Sequence, residues 1–259
     1  MTERVTLITG ASSGIGTELA RVFASQGHRV ALVARRTERL ALLASEIEAA
    51  GRPAPIVIPC DLQQQGGPET VAKILEDMGV EVDYLVNNAG YGLFGRALDL
   101  DRDDQLGIVD INIRALTDLT LRFAPSVVQH KGGILNVASI AGFLSGPGMA
   151  VYYASKAYVL SFTEALHLEL GKQGVKVTAL CPGPVLSEFQ QRAGFTPGLD
   201  TAILKVTPKS VAEQAYRGLM TNKRAVIPGL GVKAVPLLLR FFPRGFVLAA
   251  TGGLQLRKR

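Results

Sequence analysis

The chain has 259 residues, of which 47% are hydrophobic and 19% charged, and its 28 Lys and Arg against 22 Asp and Glu give a formal charge of +6. This composition excludes an intrinsically disordered chain, and the length allows a large core without covalent cross-links. Two cysteines, Cys60 and Cys181, lie in apolar strand-like runs, which excludes a disulfide-stapled fold and a zinc module. Because the basic residues lack interleaved aromatics, we expect no nucleic acid partner.

The chain shows no recognisable targeting or membrane-spanning segment. Its first residues enter a strand pattern almost at once, which leaves no room for a signal peptide. The most apolar stretch, 235–250, is interrupted by Arg240, Pro243 and Arg244 and falls short of the ~20 apolar residues of a membrane span. We therefore expect a cytoplasmic protein.

Short β-branched runs alternate with amphipathic helical patterns along the chain, which predicts successive βαβ units. The predicted strands are 5–9, 29–34, 55–60, 84–87, 134–138, 175–181 and 225–228. The predicted helices are 15–26, 38–50, 69–78, 103–129, 152–172 and 208–221. The strands are almost wholly apolar, as expected when helices cover both faces of a parallel sheet.

These patterns predict an α/β fold, a doubly wound (Rossmann-type) parallel sheet flanked by helices on both faces. We expect a single domain over residues 1–230, followed by an apolar and basic C-terminal extension, 231–259. In such sheets ligands bind at the carboxyl ends of the strands, where the strand order reverses. Candidate functional residues are therefore those that follow a strand.

A glycine-rich segment, Thr-Gly-Ala-Ser-Ser-Gly-Ile-Gly at 9–16, joins the first strand to the first helix. Glycines in this position permit a tight turn, close approach of a pyrophosphate and close helix–strand packing. The helix N-terminus offers free N–H groups to the phosphates. A glycine cluster alone is often only a tight turn, but its place between strand and helix indicates dinucleotide binding. The predicted cofactor-binding residues are Gly10, Ser12, Ser13, Gly14, Ile15 and Gly16.

The second strand ends at Arg35 and Arg36, where NAD-binding sites usually carry Asp or Glu. Guanidinium groups are permanently charged and bind phosphate in a bidentate manner, so they suit the 2′-phosphate of NADP(H). The alternative is a pair of solvated arginines at a helix start, where a cation is slightly unfavourable. We predict NADP(H) as the cofactor, in preference to NAD(H).

Two further strands end in polar or small residues that we expect beside the adenine and ribose. They are also ordinary cap and turn residues, so alone they are weak signals. These predicted residues are Asp61, Leu62, Asn88, Ala89 and Gly90.

Five ordered motifs carry a resemblance to a known family. They are the segment 9–16, Asn-Asn-Ala-Gly at 87–90, Asn-Val-Ala-Ser ending at Ser139, Tyr-Tyr-Ala-Ser-Lys at 152–156, and Pro182-Gly183. Together they resemble the short-chain dehydrogenase/reductase family, in its compact single-domain branch, over about residues 4–228. The resemblance implies an NADP-dependent oxidoreductase that moves a hydride between nicotinamide and a carbonyl or secondary alcohol. Residues 1–230 would then be the catalytic domain, with a substrate loop at about 186–207.

The proton-transfer residues implied by this resemblance are Tyr152, Ser139 and Lys156. Tyr152 and Lys156 stand four apart on a predicted helix and so share one face. The lysine ammonium and an oxidised nicotinamide would lower the pKa of Tyr152 toward neutrality. Ser139 would hydrogen-bond the substrate oxygen, and Lys156 would also bind the nicotinamide ribose. The neighbouring Tyr153 lacks the four-residue offset to the lysine.

The family also implies roles for a helix asparagine and for the segment after the sixth strand. Asn112 matches an asparagine thought to seat a proton-relaying water, although it could simply satisfy a neighbouring backbone group. Pro182, Gly183, Val185 and Ser187 match the loop on the nicotinamide side, where the family usually has threonine instead of Ser187. A hydroxyl is kept at that position, so a contact with the carboxamide can survive.

The substrate and the subunit arrangement are less constrained by the sequence. We predict an apolar pocket lined by Phe143, Met149 and Phe189, which would bind an apolar or amphipathic carbonyl compound or alcohol. The C-terminal extension could be a subunit contact, a lid or an amphipathic stretch on anionic lipid. We favour a packing or subunit role and expect a homodimer or homotetramer. The alternatives to an enzyme are a non-catalytic NADP(H)-binding sensor and a peripheral membrane interaction protein.

Overall fold

A parallel sheet of seven strands forms the centre of the protein. The computed structural model describes residues 2–185, 188, 206–239 and 241–256. The strands are β1 (Glu3–Thr9), β2 (Val30–Ala34), β3 (Ile56–Pro59), β4 (Val80–Asn87), β5 (Gly133–Val137), β6 (Lys176–Leu180) and β7 (Ala225–Val226). They are arranged in the order β3-β2-β1-β4-β5-β6-β7, so the order reverses between β1 and β4. The predicted fold class is confirmed.

Helices connect the strands and lie on both faces of the sheet. They are α1 (Gly14–Ser25), α2 (Thr37–Ala49), α3 (Gly67–Asp77), α4 (Arg102–Val109), α5 (Leu116–Gln129), α6 (Ala150–Gly171), α7 (Pro208–Met220), α8 (Leu230–Leu239) and α9 (Arg244–Leu256). A π-helical segment, Asp110–Ala115, joins α4 to α5, and a short 3₁₀ helix, Ile140–Phe143, follows β5.

The core lies in two layers, one on each face of the sheet, and β2 shows why. Val30 and Leu32 pack on the side of α1, α2 and α7, whereas Ala31 and Val33 pack on the side of α3, α5 and α6. Successive side chains of a strand point to opposite faces, so a strand covered on both faces must be apolar throughout. This explains the uninterrupted apolar runs in the sequence.

Several element boundaries differ from the sequence-based predictions. Strand β4 begins at Val80 rather than Tyr84, because the polar Glu81 and Asp83 interrupt an apolar pattern that Val80 and Val82 complete. The helix predicted over 103–129 is present but changes to π-helical geometry at its centre.

The C-terminal segment, left without assigned elements in the sequence analysis, contains α8 and α9. Val232 in α8 is almost fully buried, and a Cβ on Gly183 would lie 3.0 Å from its Cγ2. The start of this segment therefore packs directly against the loop after β6. Among the described residues, no helix combines the length and hydropathy needed to cross a membrane.

Candidate active site

A cavity of about 910 Å³ opens along the carboxyl ends of the strands. Pockets for small molecules usually measure ~300–1,000 Å³, so this one is near the upper limit and suits a large ligand. Most residues predicted from the sequence line it: Gly10, Ser12, Ser13, Gly14, Ile15, Arg35, Arg36, Asp61, Leu62, Asn88, Ala89, Gly90, Ser139, Met149, Tyr152, Lys156, Pro182, Gly183 and Val185.

The turn between β1 and α1 is built from conformations and contacts that only glycine allows. Gly10 and Gly14 have φ angles of +66° and +57°, which are strained for residues with a side chain. A Cβ on Gly16 would lie 2.2 Å from the carbonyl oxygen of Gly10. Gly16 therefore lies behind the turn rather than in the cavity, where it allows α1 to pack close to β1. The N-terminus of α1 is left facing the cavity.

Asn88 fixes this turn from the neighbouring strand. Its Nδ2 donates to the carbonyl oxygens of Thr9, at 2.9 Å, and Gly10, at 3.2 Å. The Thr9 hydroxyl in turn accepts the backbone N–H groups of Asn88 and Ala89, both at 3.0 Å. The asparagine thus lines the cavity and also holds the ends of β1 and β4 together at the point where the strand order reverses.

Three arginines line the end of the cavity beside β2. Arg36 donates through Nε to Ser12 Oγ at 3.2 Å and through Nη1 to Glu188 at 2.8 Å. Arg39, one helical turn into α2, also binds Glu188. Arg35 Nη1 lies 3.7 Å from the Asp61 carboxylate. These groups form a cationic end of the cavity, and hydrogen bonds from Arg39 and Arg36 lower the pKa of Glu188.

Arg39 and Glu188 were not found by sequence reasoning. Arg39 could have been found from its place in the first turn of α2, only three residues after Arg36. Glu188 comes from a distant segment, so only the folded chain brings its carboxylate to these arginines.

Ser139, Tyr152 and Lys156 meet at the other end of the cavity, as predicted. Ser139 follows β5, and a side-chain hydrogen bond joins it to Tyr152 on α6. Ser139 Oγ also accepts the backbone N–H of Ala141 at 3.1 Å, which orients the hydroxyl. Lys156 Nζ lies 5.9 Å from the centre of the Tyr152 ring and donates to the carbonyl oxygen of Val137 at 2.7 Å.

Burial controls the protonation of this group. It raises the pKa of Tyr152 to about 12, an effect that the hydrogen bond from Ser139 only partly opposes. It lowers the pKa of Lys156 to about 8. From the sequence, the lysine and an oxidised nicotinamide are expected to lower the phenol pKa. In the protein by itself, desolvation dominates, so Tyr152 is a phenol at neutral pH.

Asn112 is buried in the π-helical segment and does not line the cavity. Its Oδ1 accepts the backbone N–H of Tyr91 at 3.1 Å, and its Nδ2 donates to the Tyr91 carbonyl oxygen at 3.0 Å. Nδ2 also lies 2.9 Å from Ser155 Oγ on α6. The side chain therefore satisfies a neighbouring backbone, which is the simpler of the two interpretations given above. Its role in a proton relay stays a prediction.

The substrate side of the cavity only partly matches the prediction. Met149 lines it, together with Tyr91, Phe94, Ile140 and Tyr153, which the sequence analysis did not assign. Phe143 packs against the buried cluster around Leu160 and does not line the cavity, so its substrate role stays a prediction. Phe94 lies in a loop without a recognisable pattern, so no sequence signal could have found it. Ser187 and Phe189 lie outside the described residues.

Other chemistry-bearing side chains form no further site in the described part of the chain. Cys60 and Cys181 are free thiols. No group of three or more His, Cys, Asp or Glu residues is placed there to hold a metal ion.

Known proteins with similar sequences and structures agree with this geometry. Sulfoacetaldehyde reductase 2 of Chromohalobacter salexigens is 37% identical over 213 residues, which cover 81% of this chain and 84% of that protein. A short-chain dehydrogenase from Sphingobium yanoikuyae, solved in complex with NADPH, is 32% identical, with a TM-score of 0.81 and coverage of 99% and 96%. A 3-ketoacyl-(acyl-carrier-protein) reductase from Brucella melitensis, solved with NADH, is 29% identical, with a TM-score of 0.78 and coverage of 88% and 98%.

The family model of the short-chain dehydrogenases matches residues 4–196. This range extends from the first strand through the glycine turn, Ser139, Tyr152 and Lys156. The chain therefore belongs to the short-chain dehydrogenase/reductase family of oxidoreductases.

Proposed function

We propose that the protein is an NADP(H)-dependent reductase of apolar or amphipathic ketones and aldehydes, with Tyr152 as the proton donor. One observation carries this proposal: the arginine end and the Ser139–Tyr152 pair line opposite ends of one cavity. A dinucleotide bound along the glycine turn would span the two ends. The two reductases described above act on carbonyl compounds, as their names state, and support the same reaction class.

The residues of the cavity fit a nicotinamide dinucleotide. The turn at Gly10–Gly14 and the N-terminus of α1 would hold the pyrophosphate, because both offer backbone N–H groups and space. Arg35 and Arg36, with Arg39 beside them, would bind a 2′-phosphate. Pro182, Gly183 and Val185 would line the nicotinamide side. When bound, the nicotinamide supplies or accepts a hydride at C4.

The protein's own groups would handle the proton. Ser139 and Tyr152 would both hydrogen-bond the substrate oxygen, and Tyr152 would donate its proton as the carbonyl becomes an alcohol. The Lys156 ammonium would stabilise the phenolate that remains. Because burial keeps Tyr152 protonated at neutral pH, with a pKa of about 12, the proton that reduction requires is present on the phenol.

The direct test measures NADPH consumption with a panel of aldehydes and ketones that differ in apolar surface. We expect turnover to rise with apolar content, since Phe94, Met149 and Ile140 line the substrate side. Tight NADPH binding without turnover across the whole panel would instead support the non-catalytic sensor.

Replacing Arg36 with alanine tests the cofactor preference. We expect NADPH affinity to fall by about 10–100-fold, because charge-assisted hydrogen bonds to the 2′-phosphate are lost, worth ~1.5–3 kcal/mol. NADH affinity should change by less than about threefold, since NADH lacks that phosphate. Isothermal titration calorimetry with both cofactors checks this, and Arg102→Ala is the control because Arg102 is exposed and remote from the cavity. Equal losses for NADPH and NADH would contradict the 2′-phosphate assignment.

Glu188 should compete with the 2′-phosphate for Arg36 and Arg39. Removing its charge with Glu188→Gln frees both guanidiniums, and we expect NADPH to bind about two- to fivefold more tightly, consistent with exposed ion pairs worth up to ~1 kcal/mol. NADH affinity should stay unchanged. The matched control is Glu48→Gln, an exposed acid elsewhere on α2. Weaker NADPH binding in Glu188→Gln would mean that the carboxylate supports the cofactor site rather than competing with it.

We also propose self-association into a homodimer or homotetramer. The adjacent faces of α5 and α6 expose Leu121 and Tyr158, and the Tyr158 hydroxyl lies 2.9 Å from Thr117 Oγ1. An apolar helix pair of this kind is typical of a subunit contact. The cytoplasmic location stays a prediction.

A further inference from the structure

Exposed apolar side chains are concentrated at the C-terminal end of the protein. Twelve large apolar residues are exposed among the described residues, and five of them fall within residues 238–248. We call these five the C-terminal patch: Leu238, Phe241, Phe242, Phe246 and Leu248. Single exposed apolar residues are normal on a protein surface, but a contiguous group marks an interaction site.

The patch has a defined internal structure. The rings of Phe242 and Phe246 stack at 5.5 Å between centroids, with an interplanar angle of 21°. Phe241 is 77% exposed and Phe246 is 61% exposed. Between Val247 and Gly253 of α9, four residues are exposed and none is buried.

The positive charge of the chain is concentrated in its last 46 residues, which include the patch. No Asp or Glu follows Glu213, whereas nine Lys and Arg do; nineteen Lys and Arg and all 22 Asp and Glu precede residue 214. Residues 1–213 are therefore net negative by three charges, and the positive charge of the protein comes entirely from its last 46 residues. The nine cations are Arg217, Lys223, Arg224, Lys233, Arg240, Arg244, Arg257, Lys258 and Arg259.

We infer that the C-terminal patch docks on an anionic lipid surface. Aromatic and leucine side chains would enter the interface between headgroups and acyl chains, and the exposed Lys233 and Arg244 would pair with the headgroups. A second copy of the chain is a poorer occupant, because a symmetric contact would bring two cationic, acid-free segments together. Lys233 and Arg244, which flank the patch, are both exposed.

Helix α9, which carries Phe246 and Leu248 of the patch, also contacts the segment that leads to the candidate active site. A Cβ on Gly252 in α9 would lie 3.4 Å from Pro147 Cγ, and Met149, two residues further along, lines the cavity. Docking would therefore bring the substrate side of the cavity near the lipid. This indicates a carbonyl substrate that partitions into membranes, a consequence that rests on the proposed function.

The test is co-sedimentation of the full chain with lipid vesicles, without cofactor or substrate. We expect binding to vesicles that contain equal parts of phosphatidylglycerol and phosphatidylcholine and weak binding to phosphatidylcholine alone. The variant Phe241→Ser/Phe242→Ser/Phe246→Ser should bind the anionic vesicles at least about tenfold more weakly. The control Leu42→Ser/Leu98→Ser/Leu168→Ser removes three equally exposed apolar residues elsewhere and should bind like the natural protein.

Sedimentation velocity separates docking from subunit contact. If the triple serine variant of the patch dissociates into smaller species and the natural protein does not bind anionic vesicles, the patch is a subunit interface and the inference is overturned. The inference is also overturned if the triple phenylalanine replacement and the triple leucine control bind anionic vesicles equally well. Reduction of a water-soluble ketone by the variant should be unchanged, so a failure of vesicle binding is distinguishable from a failure of the proposed function.

Discussion

Replacing Tyr152 with phenylalanine is expected to lower the rate of ketone reduction by about 10²–10⁴-fold, the usual contribution of a positioned general acid. The variant keeps the ring but removes the hydroxyl that bonds to Ser139. The proposed proton donor to the substrate oxygen is then absent. NADPH affinity should change little, because the cationic end and the glycine turn are untouched. Single-turnover kinetics with NADPH and a ketone, beside calorimetric titration of NADPH, measures both quantities.

The adjacent Tyr153 offers a matched control for this prediction. Tyr153 lines the same cavity and its ring lies 6.1 Å from that of Tyr152, but it is not four residues from Lys156. Tyr153→Phe should therefore retain a rate within about threefold of the natural protein, as expected for a residue that only shapes the pocket. If Tyr152→Phe remains active while Tyr153→Phe does not, the two roles must be exchanged.

Replacing Gly16 with alanine should both destabilise the fold and weaken NADPH binding. The new Cβ would lie 2.2 Å from Gly10 O and 2.4 Å from Asn88 Nδ2, so backbone must move where β1, α1 and β4 meet. Overpacking of this kind costs about 1–3 kcal/mol of unfolding free energy. Displacement of the turn should weaken NADPH binding by at least about tenfold, since phosphate contacts depend on backbone position. Urea unfolding followed by circular dichroism and NADPH titration provide the two readouts.

Gly171→Ala is the control for glycine replacement. Gly171 ends α6, and a Cβ there would meet no atom within 4 Å. We expect unchanged NADPH affinity and a free energy of unfolding that is unchanged or raised by up to ~1 kcal/mol, because alanine reduces the entropy of the unfolded chain. A Gly16→Ala protein as stable as Gly171→Ala, with normal NADPH binding, would contradict the close-packing role.

Much of the site could be predicted because its residues follow local rules. The segment 9–16 requires glycine for a turn and a close approach, and both requirements are visible in the order of residues. Tyr152 and Lys156 are four apart on one helix, so a single turn brings them together. The role of Ser139 was implied by the family resemblance, and its place after a strand agrees with that role. Each of these signals depends on neighbours in the chain.

Features without such local patterns were missed or differ from the prediction. Phe94 lies in a loop whose course is set by packing, and Phe143 packs into an apolar cluster although it follows Ser139 closely. The start of β4 was missed because Glu81 and Asp83 interrupt its apolar pattern. The phenol pKa was expected to be lowered by Lys156 together with an oxidised nicotinamide, whereas in the protein by itself burial raises it, and burial is a property of the whole fold.

The sequence by itself determined the fold class, the glycine turn, the arginines after β2 and the spacing of the proton-transfer residues, because periodicity and short offsets encode them. Only the tertiary structure decided that Glu188 reaches Arg36 and Arg39, that Asn112 bonds to Tyr91, and that α9 adjoins Pro147. These contacts join segments that are distant in the chain. The packing of helices and strands determines which residues meet in these contacts, and it cannot be read from the order of residues along the chain.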